Sequence, residues 1–536
     1  MQDRIICFFS ELKEDILAMR NILPFLLSVT MGLMVHFVFY SQELLNPDGL
    51  WGAEHRLSNV WEVSLGRWAW YLLEPLRGGI NSYSLSAFST IILFSVGGLM
   101  LSKVFMVRNI FSAAVISVFI TCSPFVAMVM TYPVFTFIYG LSFLLAVLAV
   151  YACFFSSKRI LGMGVAIVCI VFSLATYQAS LGVAFAAVAG YVLISLLKEP
   201  LEVKSLLKNA IITVATIIAG VLVYYVLMQM MLSLWDVSLS SFKGADRVGV
   251  GNTLQNITGS AGLAYSHFKA FFFDSWLARN AYGEIYLYSL LAIVAVVTIA
   301  LRIFSLKVAS SQRLLLAFYM MLILIMLPVF CNVINIAAPN AGLYLLMCSG
   351  MMVVVPLIIA LTGWGEGLEK TQGLWTAQNI LHKLSVLLAC SLIWAFMLTN
   401  QTDAQVMQNT QQQTVQLANR IWERVEAYDG YVPGKTEILI TGTPSTGNYP
   451  PISTLYEKAN VYARWGLLWE DSYGNAGSWQ QLYRRYLGIE YNMCTEERSA
   501  KIIAMPEYKQ MPIYPEKGSL QTLDGVLVIK VSKIFD

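Results

Sequence analysis

Between Asn46 and Arg77 the chain reads NPDGLWGAEHRLSNVWEVSLGRWAWYLLEPLR, which crowds Asp48, Glu54, Glu62, Arg56, Arg67, Arg77 and four tryptophans (Trp51, Trp61, Trp68, Trp70) into one short stretch. A carboxylate within hydrogen-bond reach of a hydroxyl can take its proton, and fixed guanidinium groups in a water-poor setting stabilise an anion as it forms. Acids and arginines in a loop serve equally well as a solvated face. Asp48 stands apart because Pro47-Asp48-Gly49 is a turn signal placed directly after a hydrophobic stretch. A second set of cations, Lys243, Arg247, His267 and Lys269, falls between Trp235 and Tyr282. Basic side chains beside a membrane suit a lipid phosphate, with headgroup snorkelling as the alternative, above all for Lys243 and Arg247.

The elements that must hold these residues are set by composition. Of 536 residues, 57% are hydrophobic and 12% charged, with a mean hydropathy of +0.64, whereas an ordinary soluble chain carries about 25% charge. This is the composition of a polytopic membrane protein. A window of about 19 residues finds about eleven spans. They start near Ile22, Leu85, Ile110, Val134, Ile160, Gln178, Ala210, Ile285, Leu314, Ala341 and Leu381. Arg4, Lys13, Arg20, Lys103, Arg108, Lys158, Arg159, Lys198, Arg302, Lys307 and Arg313 fall in one alternate set of connections, and the short opposite loops hold no Lys or Arg. The positive-inside rule then predicts a cytoplasmic N-terminus and, with an odd number of spans, an external tail.

Three segments face outward on this reading: the loops 41–84 and 235–282, and a tail of about 135 residues, enough for a small core of its own. No cytoplasmic loop has the length of a nucleotide-binding domain, so ATP or nucleotide-sugar chemistry inside the cell is not expected. The spans carry no convincing mid-depth acid, which argues against a proton-coupled transporter; His36 reads as a packing residue. Six of the eight cysteines fall in or beside spans, and no disulfide framework is expected. From His55 the first loop becomes helical in pattern, with Leu57, Trp61, Leu65, Trp68 and Leu72 on one face, and predicts an interfacial helix. The second loop predicts a polar, Gly-rich segment followed by another surface helix. In the tail, Met407, Thr414, Ala418, Ile421, Val425 and Tyr428 make a helical stripe, and Glu437–Thr441 and Val526–Val531 read as strands. The segment with Trp465, Trp469, Trp479 and Tyr483 reads as core, or else as a surface for stacking sugar rings.

NPDGLW (Asn46 to Trp51) and SLGRW (Ser64 to Trp68), placed after a short N-terminus and followed by many spans and an external tail, resemble the Gtr-type, type II class bacterial glucosyltransferases of the GT-C group of membrane glycosyltransferases. The fold expected is mostly α: about eleven transmembrane helices, interfacial helices in two external loops, and a small C-terminal α/β domain, divided as 1–399 and 400–536. The resemblance implies transfer of a hexose, glucose first, from polyprenyl (undecaprenyl) phosphate to a surface glycan such as the O-antigen of lipopolysaccharide, on the outer face of a bacterial cytoplasmic membrane. Its partners would be the lipid-linked donor, the glycan acceptor and the bilayer, with no nucleic acid. Wider-group members carry a pair of acids where this chain has Asp48-Gly49, so Glu54 is expected as the second catalytic acid beside Asp48. Arg56, Arg67, His267 and Lys269 are the expected donor-phosphate ligands, and Trp51, Trp68 and Glu62 the expected substrate contacts. A monophosphate leaving group can be met by side-chain cations, so a divalent metal is possible but not expected. A lipid-linked sugar flippase and a glycan polymerase or ligase are the alternative readings.

Overall fold

The computed structural model describes residues 19–51, 58–132, 136–198, 202–240, 250–306, 308–337, 344–363, 372–444, 453–470 and 472–532. The expected Glu54 and Arg56, and with them Lys243 and Arg247, lie outside the described residues. Apolar runs with little periodicity fold as helices that bury or face lipid on all sides, since only a helix satisfies its own backbone in a membrane. In chain order the longer helices are α1 (Met19–Val35), α2 (Tyr83–Val104), α3 (Ile110–Thr121), α4 (Pro124–Met130), α5 (Thr136–Phe155), α6 (Arg159–Thr176), α7 (Leu181–Lys198), α8 (Val203–Leu234), α9 (Val250–Phe272), α10 (Glu284–Ser305), α11 (Ser310–Cys331), α12 (Val354–Thr362) and α13 (Gln372–Glu426); α9, in the second loop, is polar and is not one of the apolar helices.

Among the described residues eight helices are long and apolar enough to cross a membrane, or nine if α3 and α4, bent by 44° at Cys122–Ser123, form one span. The other two expected spans are present as shorter apolar helices, 20–35 and 349–362. Helix α7, with its preceding 3₁₀ turn, sits at the centre: 83% of its apolar window is buried, against 33% for α8, 28% for α10 and 33% for α11. Those three outer helices leave Leu222, Val226, Ile293, Val296, Leu314 and Phe318 exposed, the side chains that lipid would cover. Close approach at the centre needs missing side chains: a Cβ at Gly182 or at Gly350 would lie 2.3 Å from the carbonyl oxygen of Cys331. The seven described cysteines are free.

Helix α13 is a single element of 55 residues, about 80 Å long. The expected tail helix is therefore the continuation of the last span, and the helix runs unbroken through position 400. Its stripe is buried as patterned, with Met407, Thr414, Ala418, Ile421 and Val425 each at most 5% exposed. Beyond it lie β1 (Glu437–Thr441), α14 (Ser472–Leu482), β2 (Asn492–Met493), α15 (Glu496–Ala504), β3 (Leu520–Leu523) and β4 (Val526–Lys530). The sheet order is β2-β1-β4-β3, parallel except for the β3–β4 pair. Trp479 and Tyr483 are fully buried in this unit.

The membrane helices and the tail exchange core residues. Leu45, Leu50 and Tyr83 of the first loop pack into the tail's core with Ile421, Ile440 and Trp479, while Ala459, Tyr462 and Ala463 of the tail pack into the core of the helical bundle. Asp403 of α13, fully buried, accepts from the Asn460 amide (2.8 Å), the Asn460 side chain (2.7 Å) and the Tyr462 hydroxyl (2.7 Å), which fixes that exchange.

Candidate active site

The turn that carries Asp48 is built by its neighbours. Asn46, fully buried, caps the four-residue helix Pro47–Leu50 by accepting from the Gly49 amide at 2.7 Å, and Pro47 occupies the first helical position, where its missing N–H costs nothing. The Asn46 side chain also donates to the Thr131 hydroxyl at 2.9 Å, at the end of α4. Pro47, Gly49 and Leu50 are buried and Asp48 is exposed, so the turn anchors three residues and presents the fourth.

The expected interfacial helix is two helices, Val60–Ser64 and Ala69–Arg77, separated by a turn at Gly66. Gly66 has φ +76°, which favours glycine, and a Cβ there would meet the Tyr224 hydroxyl at 2.6 Å and the Met228 sulfur at 3.0 Å. The break rotates the stripe read from the sequence: Trp61 is 45% and Leu72 52% exposed, whereas Trp68 is 5% exposed and packs on Phe172. The amides of Gly66 and Arg67 donate to the carbonyls of Val63 (2.8 Å) and Glu62 (2.9 Å), closing the turn.

Arg67 emerges from this turn half-buried, its guanidinium 5.6 Å from the Trp70 ring and 5.3 Å from the Tyr177 ring, both within cation–π range. Its buried Nε has no hydrogen-bond partner, and no carboxylate pairs with it among the described residues. A buried donor left unpaired is costly unless a ligand or water takes the place. Trp70 is held by donating to the Thr176 carbonyl at 2.7 Å.

Asp48 and Arg67 both lie within electrostatic reach of one tyrosine wall. Tyr139 packs against Tyr177 at 4.7 Å, Tyr132 at 6.3 Å and Trp70 at 6.5 Å, and it lies within electrostatic reach of both Arg67 and Asp48. Burial, and next the charge of Asp48, pushes the Tyr132 phenol well above its usual range, so Tyr132 stays protonated beside the acid. Tyr132 is also within reach of Tyr344, whose ring meets Trp465 of the tail edge-on at 5.8 Å. The site thus draws on the first loop, the mouths of α5 and α6, and the tail. Tyr132, Tyr139 and Tyr177 were not singled out from the sequence; their only signal there is polar aromatic residues at span ends.

The remaining expected site residues have other surroundings. Glu62, 2% exposed, closes a capping box by accepting from the Asn59 amide at 2.9 Å. The Trp51 ring lies against Gly477 of α14, leaving no room for a Cβ there, and the indole N–H groups of Trp51 and Trp68 are buried with no hydrogen-bond partner among the described residues. Arg77 pairs with Glu74 at 2.7 Å, and Glu74 also accepts from Ser58. His267 on α9 is 5% exposed, bonds Asn335 through Nδ1 at 3.0 Å and stacks on Trp276. Burial lowers its pKa below the ordinary value and the Asn335 bond opposes this only in part. Burial therefore leaves His267 uncharged at neutral pH. Lys269 is exposed. Among the described residues no three His, Cys, Asp or Glu side chains gather as metal ligands.

No curated protein and no solved structure matches this chain. The sequence model of the family described as Glucosyl transferase GtrII matches residues 54–355. That range is more than half of the chain and holds Arg67, Tyr132, Tyr139, Tyr177, Tyr224 and His267; Asp48 and the whole tail fall outside it. The match agrees with the resemblance carried by SLGRW, and the apolar helices agree with a multi-pass membrane enzyme. The chain belongs to the GtrII glucosyltransferase family and is a membrane glycosyltransferase.

Proposed function

We propose that this enzyme moves glucose from polyprenyl phosphate, undecaprenyl phosphate in a bacterial inner membrane, to a surface glycan such as O-antigen on the extracytoplasmic face. The observation that carries the reading is that an exposed acid, Asp48, and Arg67, which pairs with no carboxylate among the described residues, both lie within electrostatic reach of Tyr139. In the step proposed, an acceptor hydroxyl oxygen bonds to the anomeric carbon as the carbon–oxygen bond to the phosphate breaks. Asp48 takes the hydroxyl proton, and polyprenyl phosphate leaves with the bonding electrons toward Arg67. Tyr139 and Tyr177 supply an apolar wall for the sugar ring and exclude water from the ion pair that forms. His267 and Lys269 on α9, with Arg56, would extend the phosphate-binding side, and Glu54 is the proposed second acid. The internal N-terminus and the external tail belong to the same proposal and are supported by the distribution of Lys and Arg; the unit boundary near 400, which α13 crosses without a break, is proposed with them from the change in composition alone.

The test is transfer of radiolabel from polyprenyl-phosphate glucose to extracted surface glycan by purified protein in detergent, with and without chelator. Asp48→Asn, at an exposed position, should leave melting unchanged and reduce turnover by about 100-fold or more. Full activity in that variant would remove Asp48 as the base. Loss of label in the presence of chelator would show that a metal takes part.

A further inference from the structure

We infer that Gln178 and Tyr224 are positioning residues for Arg67, a clamp on two consecutive carbonyls that sets where the donor phosphate is held; this rests on Arg67 being the phosphate ligand. Neither residue belongs to the first loop. Gln178 opens the 3₁₀ turn between α6 and α7, and Tyr224 lies in α8. Gln178 donates from Nε2 to the Leu65 carbonyl at 2.8 Å, and the Tyr224 hydroxyl donates to the Gly66 carbonyl at 3.1 Å. Gln178 Nε2 also reaches the Tyr224 oxygen at 3.2 Å, so the two donors form one network.

The positive φ of Gly66 is what brings both carbonyls to one side of the turn, and the Tyr224 hydroxyl fills the space where any side chain at 66 would go. On the other side of Arg67 the chain is fixed by Trp68 on Phe172 and by Trp70 on the Thr176 carbonyl. The backbone of Arg67 is thereby held from α6, the 3₁₀ turn before α7, and α8 at once, while its guanidinium rests on aromatic faces and its Nε has no hydrogen-bond partner among the described residues. Rings restrain the height of the guanidinium but not its direction in their plane. Its placement therefore follows from the backbone, and the backbone from the clamp. A polar pair in an apolar bundle is costly without a task, and here both members spend their donors on the turn preceding Arg67.

The test compares full-length protein with Tyr224→Phe, Gln178→Ala and Arg67→Ala, and with each clamp variant combined with Arg67→Ala. Two readouts are taken: kcat and KM for polyprenyl-phosphate glucose and for glycan acceptor, and equilibrium binding of polyprenyl phosphate in detergent. Loss of one bond of ordinary strength should lower donor kcat/KM and polyprenyl-phosphate affinity about tenfold. The acceptor KM should stay as in wild type. In the Arg67→Ala background the same clamp changes should have no further effect on the donor, because the clamp acts through Arg67. Wild-type donor affinity in both clamp variants, with Arg67→Ala defective, would overturn the clamp and leave the reading of Arg67 intact. An equal loss in both backgrounds would show a general structural role and also overturn it. If Arg67→Ala itself binds polyprenyl phosphate normally, the phosphate role of Arg67 falls and the clamp's purpose with it.

Discussion

Asp48 and His267 show how differently two polar residues can be made useful. Asp48 is exposed on a turn whose other residues are buried, so its carboxylate is set by the backbone and keeps access to solvent, as the base proposed for an acceptor hydroxyl requires. His267 is the reverse, nearly enclosed between Trp276 and Asn335, and its charge state follows from that enclosure. Because its folded pKa lies below the ordinary value of about 6.5, the unfolded chain binds a proton first as pH falls. The stability associated with neutral His267 is complete above that ordinary value and is lost as pH drops through the lower, folded one. Between pH 7.5 and 5, His267→Gln should lose less melting temperature in detergent than wild type, and the measurement is a pair of thermal unfolding series. Equal losses would mean that His267 titrates as an exposed imidazole. Asp48 was legible in the sequence because a turn beside a span is a local pattern. The neutrality of His267 was not, since it follows from burial by segments distant in sequence, Asn335 lying 68 positions away.

At the scale of elements, hydrophobic runs announced the spans and β-branched runs announced β1 and β4, because both signals are local and periodic. The helix break at Gly66 was hidden: Trp61, Leu65, Trp68 and Leu72 keep helical spacing straight through it. What overrides the pattern is tertiary, the carbonyls of Leu65 and Gly66 finding donors on Gln178 and Tyr224. Gly66→Ala should therefore be far worse than an ordinary glycine replacement. The left-handed backbone alone costs about 1–2 kcal/mol, and the methyl would also displace the Tyr224 hydroxyl. Gly78, at φ +63° with nothing within 4 Å of a Cβ, provides the comparison. Gly78→Ala should carry only the backbone cost and retain transfer. Gly66→Ala should lower melting further and reduce transfer more than tenfold. Similar behaviour of the two variants in the melting and transfer assays would mean that contact with α8 does not matter.

The whole molecule is less divisible than its composition suggests. A polar tail after the last apolar run reads as an appended unit, yet α13 is continuous, the first loop lends Leu45 and Leu50 to the tail's core, and the tail lends Tyr462 to the bundle. None of this was legible, because the pairings join distant segments; Leu45 bonds Gln411 across 366 positions. Asp403 is the point where the exchange can be tested. Its two carboxyl oxygens accept three hydrogen bonds from Asn460 and Tyr462 in a buried setting. Asp403→Asn keeps one acceptor and turns an amide NH₂ toward donors, so at least one buried group loses its partner, at about 1–3 kcal/mol each. Hydrogen exchange should then accelerate at 459–463, while β4, whose backbone bonds lie within the tail's own sheet, keeps its protection. Because Trp465 meets Tyr344 two residues beyond this segment's end, loosening it should also raise the acceptor KM more than the donor KM. Unchanged exchange at 459–463 would show that apolar packing of Tyr462 and Ala463 alone holds the tail to the bundle. Accelerated exchange across β4 as well would show that the tail's sheet depends on the bundle for its stability.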